Sequence, residues 1–396
     1  MTDNSEWNQR GNRVLMNTYG RLPVTMVRGE GCRLYDAEGR EYLDFVAGIA
    51  VCNLGHCHPA VTAAVCEQIS RLVHVSNLYH TSPQIELAEL LCANSRAERV
   101  FFCNSGAEAN EAAIKLARKA SPAGRYEVIS LTGSFHGRTL ATVAATGQSK
   151  FHEGFEPMPQ GFVHAPFGDL AALERMITSA TCAVLCEPLQ GEGGVRPLAS
   201  EYLRGIAELC RRHELLLIFD EVQVGMGRTG TLLAHEQLGV VPDIFTLAKG
   251  LANGLPMGAM LAGERVASAF TPGSHASTFG GGPVVASAAK VVLQTMLTSD
   301  FLPRVKALGR HLQQGLWELA RRYPEKVEEV RGLGLIQGLV LREEFRPQGP
   351  ALVQRLFERG LLLNFAGNTA LRFLPPLVVS EAELDQALAQ VNEVLN

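Results

Sequence analysis

The chain is poor in the features that mark membranes, disulfide scaffolds and nucleic-acid surfaces. None of its apolar runs approaches the roughly 18 residues of a membrane span, so no membrane partner is expected. The N-terminus, Met1-Thr-Asp-Asn-Ser-Glu-Trp7, is polar and acidic, unlike the basic-then-apolar pattern of a secretory signal. Nine cysteines are an odd number with no CxxC pair, and Cys66, Cys103, Cys182 and Cys210 fall in apolar segments. They read as reduced core thiols in a cytoplasmic protein. With 36 basic and 40 acidic residues the net charge is −4. Nucleic acid is therefore not an expected partner, since phosphate binding needs a basic face. Internal repeats and low-complexity tracts are absent. The one hint of metal, His56-Cys57-His58, lacks a second ligand cluster and runs straight into Pro59. It reads as a structured loop before a helix, and no metal is expected.

What remains is a well-filled globular chain. Hydrophobic residues make up 46% and charged residues 19%, which leaves little scope for disorder. A length of 396 residues suits two domains better than one core. Residues 22–46 read as short strands with turns, and a helix is expected from Pro59, with Val61, Val65, Ile69 and Leu72 on one face. Strand signals then recur at Val100–Cys103, Glu127–Leu131, Ala183–Glu187, Leu215–Asp220 and Asp243–Leu247, with helical patterns between them. Such alternation predicts an α/β fold whose parallel sheet is covered by helices on both faces. After about residue 290 the alternation gives way to helical stretches over Val291–Arg322, a glycine-punctuated strand over Leu333–Leu341 and a final helix. Ser380 and Glu383 have capping-box spacing at that last helix. The division expected is 1–50 packing with a small α+β domain at 291–396, and 51–290 as a large domain.

Two strand-like runs each end in one ionisable residue. Asp220 closes Leu215–Phe219, and Lys249 follows Ile244–Phe245 in Thr246-Leu-Ala-Lys249-Gly250. The C-terminal ends of strands are where open α/β sheets keep their ligand crevice. A buried lysine there can lose its proton and form a Schiff base, and a buried aspartate needs a cationic partner. A pyridoxal phosphate (PLP) ring needs both, an amine for its aldehyde and a carboxylate for its pyridinium nitrogen. Taken alone, a strand-end Asp is more often a cap or ion-pair partner, and a Lys before Gly more often a solvated turn.

Other strand ends ask for the same ligand. Asn104-Ser105-Gly106-Ala107-Glu108-Ala-Asn110 reads as a turn opening a capped helix, whose free N–H groups and dipole favour a phosphate. Phe135-His136-Gly137-Arg138 offers a ring to stack on a flat heterocycle and a fork for a carboxylate. Glu187-Pro-Leu-Gln190-Gly191-Glu192 brings backbone close to something with Glu192 beside it. Ser277-Thr278-Phe279-Gly280-Gly281-Gly282 is a second glycine-rich loop with hydroxyls to offer, and Arg372 sits on a late strand. Dinucleotide binding is weak as an alternative: Gly332-Leu-Gly334-Leu-Ile-Gln-Gly338 has one residue too many for GxGxxG, and no helix is expected after it. A Walker A sequence is absent.

These motifs, in this order and from about Tyr19 to the C-terminus, resemble the class III aminotransferases, PLP enzymes of fold type I. Phe135-His-Gly-Arg138-Thr, Gly48-Ile49-Ala50-Val51 and Leu54-Gly-His-Cys-His-Pro59 are most similar to the branch acting on N-acetylornithine and N-succinylornithine. The resemblance implies a mostly parallel, seven-stranded-type central sheet flanked by helices, with 51–290 holding the cofactor. It implies that Lys249 carries PLP as a Schiff base, that Asp220 pairs with the ring nitrogen and that Gln223 approaches the phenolic oxygen. Phe135 and Val222 would sandwich the ring, and Ser105, Gly106 and Ala107 would hold the phosphate. Thr278 would reach the phosphate of a neighbouring subunit, which implies a homodimer with shared active sites. Arg372 would take the α-carboxylate of glutamate or 2-oxoglutarate, with Glu192 pairing to it when the other substrate is bound. Arg138, with Ser277 and Tyr19, would hold the acylated ornithine. The free-ornithine branch is expected to carry a Tyr near Ile49. Ile49 cannot hydrogen-bond a free α-amino group, so it favours an N-acylated substrate. The reaction implied is transfer of the δ-amino group of N2-acetylornithine to 2-oxoglutarate in arginine biosynthesis, with succinylornithine or another ω-amino acid as the alternative substrate.

Overall fold

The computed structural model describes residues 3–396. Its centre is a seven-stranded sheet. The strands lie in the order Arg99–Cys103, Gly258–Ala262, Ile244–Leu247, Leu216–Asp220, Thr181–Cys186, Glu127–Leu131 and Phe162–Ala165. All run parallel except Gly258–Ala262, which pairs antiparallel with both neighbours. Residues Thr181–Cys186 and Leu216–Asp220 are buried at every position, as a sheet covered on both faces requires. Helices Gly106–Ala120 and Ser200–Arg212 are amphipathic covers whose apolar stripes face this sheet.

Five of the seven strands are those the sequence predicts, to within two residues at each end. The other two are the edge strand Phe162–Ala165 and the antiparallel Gly258–Ala262. Gly-Ala-Met-Leu-Ala has small residues and no β-branching, so nothing local marks it as a strand. Tertiary pairing with the strand that ends at Cys103 decides it.

A second region packs beside the sheet. Strands Met26–Glu30, Arg33–Asp36 and Glu41–Asp44 form a meander that is joined by Leu361–Leu362, running parallel to Glu41–Asp44. A further antiparallel sheet comprises Val327–Leu333, Ile336–Leu341, Ala370–Phe373 and Asn364–Ala366. The single glycine-punctuated strand expected at Leu333–Leu341 is thus the turn and second arm of a hairpin, with Gly334 at φ +54. The helical stretch expected over Val291–Arg322 is two helices, Pro283–Met296 and Phe301–Arg322. The last helix, Glu381–Leu395, has its capping box formed: Ser380 accepts from the Glu383 N–H, and Glu383 accepts from the Ser380 N–H.

Two surface expectations need correcting. The helix Pro59–Ile69 buries Val61, but Ile69 and Leu72 of its expected apolar face are exposed. Cys66 on the same helix is also exposed, whereas Cys103, Cys182 and Cys210 are buried as core thiols.

One local feature stands out. Ala47, Gly48, Ile49 and Ala50 all have positive φ, between 49° and 68°, so the chain makes a left-handed turn there. The Asp44 carboxylate anchors its entry by accepting the N–H groups of Val46 and Ala47 at 2.8 and 2.9 Å.

Candidate active site

The C-terminal ends of the parallel strands open into a cavity of about 400 Å³. Of the residues singled out in the sequence, its wall includes Ser105, Gly106, Ala107, Phe135, Arg138, Glu192, Asp220, Val222, Gln223 and Lys249. The strand ends gather them: each element reaches the crevice and turns, and the turn presents one polar group.

Asp220 is 4% exposed and fully engaged by donors. Its Oδ2 accepts from Asn110 Nδ2 at 2.7 Å and from His136 Nδ1 at 2.8 Å, while Oδ1 accepts from the Val222 N–H at 3.0 Å. A carboxylate is acceptor-only, so His136 carries its proton on Nδ1. The Asn110 amide is oriented in turn by Thr246, whose hydroxyl donates to Asn110 Oδ1 at 2.8 Å. Lys249 stands on the next strand's end with φ +45, an uncommon backbone for a lysine. Burial pushes its ammonium down to about 8 against the charges of Glu192 and Asp220, and Arg372 adds to the push. A substantial part of this amine is therefore neutral near pH 8, ready to act as a nucleophile or proton carrier.

The opposite wall is built for an anion and a flat ring. Ser105 caps the helix Gly106–Ala120, and its side chain accepts the Glu108 N–H. Glu108 reaches back to the Asn104 N–H at 2.6 Å, one residue before the usual capping-box partner. The first helical N–H groups thus stay free toward the cavity. Gly106 is required here, since a Cβ on it would lie 2.7 Å from Val222 Cγ1. Phe135 and Val222 both line the cavity, and Phe135 is braced edge-on by Phe151 at 5.5 Å.

The two arginines are in opposite states. Arg372, 1% exposed, projects from Ala370–Phe373 and is closed off by Glu192, with Nη1 2.7 Å from Oε1. Gln223 Oε1 and Asn364 Oδ1 accept from it at 3.0 and 3.1 Å. Burial alone would raise the Glu192 carboxyl, but Arg372, then Lys249, outweigh burial and hold it below the usual range. Arg138 is exposed at the cavity mouth, without a carboxylate partner among the described residues. Its guanidinium lies over Phe151, 4.2 Å from the ring centroid.

Four expected residues lie outside this wall: Arg372, held behind Glu192, and three more. Tyr19 is 69% exposed on the surface. Ser277 accepts from Asn104 Nδ2 at 3.3 Å and so stands just behind the wall. Thr278 is exposed and borders a separate recess with His74 and Gln84. Conversely, the cavity includes Asn110, His136 and Glu187, to which sequence reading gave no role. Glu187 carried a signal, because it ends its strand as Asp220 ends the next. Asn110 carried one as the lone buried amide on an alanine-rich helix face.

A family model described as aminotransferase class-III matches residues 15–395. The chain belongs to the class III aminotransferases. An acetylornithine aminotransferase of Thermosynechococcus vestitus is 52% identical over 393 residues, covering 97% of this chain and 95% of that protein. One from Gloeobacter violaceus is 52% identical over 383 residues, covering 95% and 94%. Among solved structures, N-acetylornithine aminotransferase from Stenotrophomonas maltophilia is 40% identical with a TM-score of 0.84, covering 98% and 97% of the two chains. Ornithine aminotransferase from Toxoplasma gondii superposes with a TM-score of 0.95 at 31% identity, covering 100% and 95%.

The cofactor of this class III aminotransferase is pyridoxal phosphate, and the cavity fits it. The glycine-opened helix start suits a phosphate, the gap between Phe135 and Val222 suits a ring, and Asp220 and Lys249 stand ready for the ring nitrogen and the aldehyde.

Proposed function

We propose that this enzyme transfers the δ-amino group of N-acetylornithine to 2-oxoglutarate, giving N-acetylglutamate 5-semialdehyde and glutamate. The observation that carries the reading is the opposite state of its two arginines, one capped by Glu192 and one open. Two substrates of different length must use one site in turn. With Arg372 masked, the amino donor enters with its α-carboxylate on Arg138 and its terminal amine at Lys249. With Glu192 displaced, Arg372 takes a carboxylate of 2-oxoglutarate through a two-pronged hydrogen bond. Bound PLP supplies the electron sink for bond cleavage at the amino carbon.

The chain's residues do the rest. Asp220 faces the ring nitrogen and, as a carboxylate, favours its protonated form. Lys249 carries the proton between the substrate carbon and the cofactor. Gln223 approaches the phenolic oxygen, Phe135 and Val222 hold the two ring faces, and Ser105, Gly106 and Ala107 bind the phosphate. Ile49, with no hydrogen-bonding side chain, supports an N-acylated donor over a free α-amine. The names of the relatives at about 50% identity support the same substrate.

A homodimer with shared sites completes the reading. Thr278 is exposed outside its own cavity, and Val73, Leu78, Tyr79 and Phe279, in or next to the segments that line the recess beside it, are exposed apolar side chains. A second copy covering them would bring its Thr278 and Ser277 to this cavity. The free cysteines support a cytoplasmic enzyme, and no described helix is long and apolar enough to cross a membrane.

Comparing kcat/KM for N-acetylornithine, N-succinylornithine, ornithine and 4-aminobutyrate with 2-oxoglutarate tests the assignment. N-acetylornithine should rank first. Preference for ornithine or 4-aminobutyrate would overturn it.

A further inference from the structure

Two carboxyl groups stand side by side at the bottom of the cavity. In the sheet, Phe219 is the register partner of Cys186, so the next residues on the two parallel strands are Asp220 and Glu187. Both are nearly buried, 4% and 6% exposed, and both line the cavity. Neighbouring buried carboxyls cannot both hold a full negative charge without a strong compensating field.

The donors decide between them. Asp220 receives Asn110, His136 and a backbone N–H. Glu187 receives a single donor, the Phe135 N–H, at 3.0 Å on Oε2. Its other oxygen has no hydrogen-bond partner among the described residues. The charged groups acting on Glu187 are Asp220, Glu192 and Lys249, and Glu192 is already engaged by Arg372. Burial, then the charge of Asp220, push the Glu187 carboxyl well above the usual range, and only the Phe135 N–H and Lys249 oppose this.

We propose that Glu187 is a positioning residue that works as an uncharged carboxylic acid beside the charged Asp220. Its carbonyl oxygen pins the Phe135 main chain, and with it the phenyl ring that covers one face of the cofactor. Its lack of charge leaves Asp220 as the one anion facing the ring nitrogen. A second anion at this depth would stabilise the Lys249 ammonium and delay release of its proton. The function of Glu187 in the loaded enzyme rests on the PLP site described above, but its protonation state does not.

The decisive measurement uses the cofactor-free protein. A difference infrared spectrum between wild type and Glu187→Gln should show the carbonyl stretch of a protonated carboxylic acid, lost in the variant. A carboxylate band in its place would overturn the proposal whatever the cofactor does. In the holoenzyme, the pH at which the PLP absorbance titrates should stay in place in Glu187→Gln, because no charge is removed. A clear displacement would equally overturn it. Glu187→Gln should also keep PLP affinity within about threefold, since an amide oxygen can accept the Phe135 N–H. Glu187→Ala should weaken PLP binding by about tenfold, matching a lost hydrogen bond of about 1 kcal/mol or more. Equal losses in both variants would contradict the pinning role.

Discussion

Arg372 and Glu192 close on one another at 2.7 Å, and the guanidinium has almost no other exposure. The residue proposed to bind a substrate carboxylate is thus held shut by an internal one. Removing Glu192 should open it. Glu192→Gln should lower KM for 2-oxoglutarate and slow the half-reaction with N-acetylornithine, because glutamate-like binding then competes with the donor. Arg372→Lys should raise KM for 2-oxoglutarate by about 10–100-fold, from the loss of a charge-assisted hydrogen bond of about 1.5–3 kcal/mol. Half-reaction stopped-flow kinetics with each substrate separate the two effects.

Lys249 gives a pH signature in the cofactor-free enzyme. With its ammonium pushed down to about 8, the rate of PLP attachment should climb through about pH 8 and level above it. An ordinary lysine would keep climbing toward 10.5. The linkage to stability has a definite sign. Between about pH 8 and 10.5 the unfolded chain holds a proton on Lys249 that the folded chain has released. This group therefore makes the cofactor-free protein more stable as pH rises through that window, and contributes no slope below it. Denaturant titrations of wild type and Lys249→Met across pH 7.5–10.5 isolate the contribution by difference.

Lys249→Ala should abolish turnover and the lysine-linked cofactor absorbance, while Asp220→Ala should keep some cofactor and lose most activity. Normal turnover in Lys249→Ala would remove the basis of the functional reading.

Thr278 lends itself to subunit mixing. Thr278→Ala should weaken PLP binding, and Lys249→Ala should be inactive. Co-assembled as a heterodimer, these variants should regain one complete site, which has Lys249 from one chain and Thr278 from the other. Activity regained on co-refolding, absent from the Lys249→Ala homodimer and with wild-type PLP affinity, is the expected result. Failure to regain that affinity would place both residues in one chain's site.

On the proposed role of Ile49, Ile49→Tyr should shift preference toward free ornithine, by offering a hydroxyl for the α-amino group. A gain of about 1 kcal/mol for one hydrogen bond corresponds to roughly fivefold in the kcat/KM ratio of ornithine to N-acetylornithine.

The strand-end wall of the cavity was legible in the sequence and the Arg372 side was not, and the reason is structural. Asp220 ends a strand and Ser105 and Lys249 lie two residues beyond one, so apolar runs of four or five residues locate them. Arg372 comes from a strand of a different sheet. Its partnership with Glu192 spans 180 residues and has no local trace. The donors to Asp220 are equally remote, Asn110 by 110 residues and His136 by 84. Exposed Ile69 and Leu72 misled for the opposite reason. They are apolar at helical spacing yet face outward, as residues awaiting a partner surface do.

The left-handed turn at 47–50 links the order of the cavity wall to thermal endurance. Three of its residues, Ala47, Ile49 and Ala50, have a Cβ and each opposes that backbone by about 1–2 kcal/mol. Together they cost about 3–6 kcal/mol, a large fraction of a typical folding margin of about 5–15 kcal/mol. Glycine at Ala47 or Ala50 would return part of that margin and raise the melting temperature. It would also loosen the segment that leads into Val51 on the cavity wall. Under selection for heat resistance alone, this turn is where the enzyme would first exchange a firmly held cavity wall for robustness.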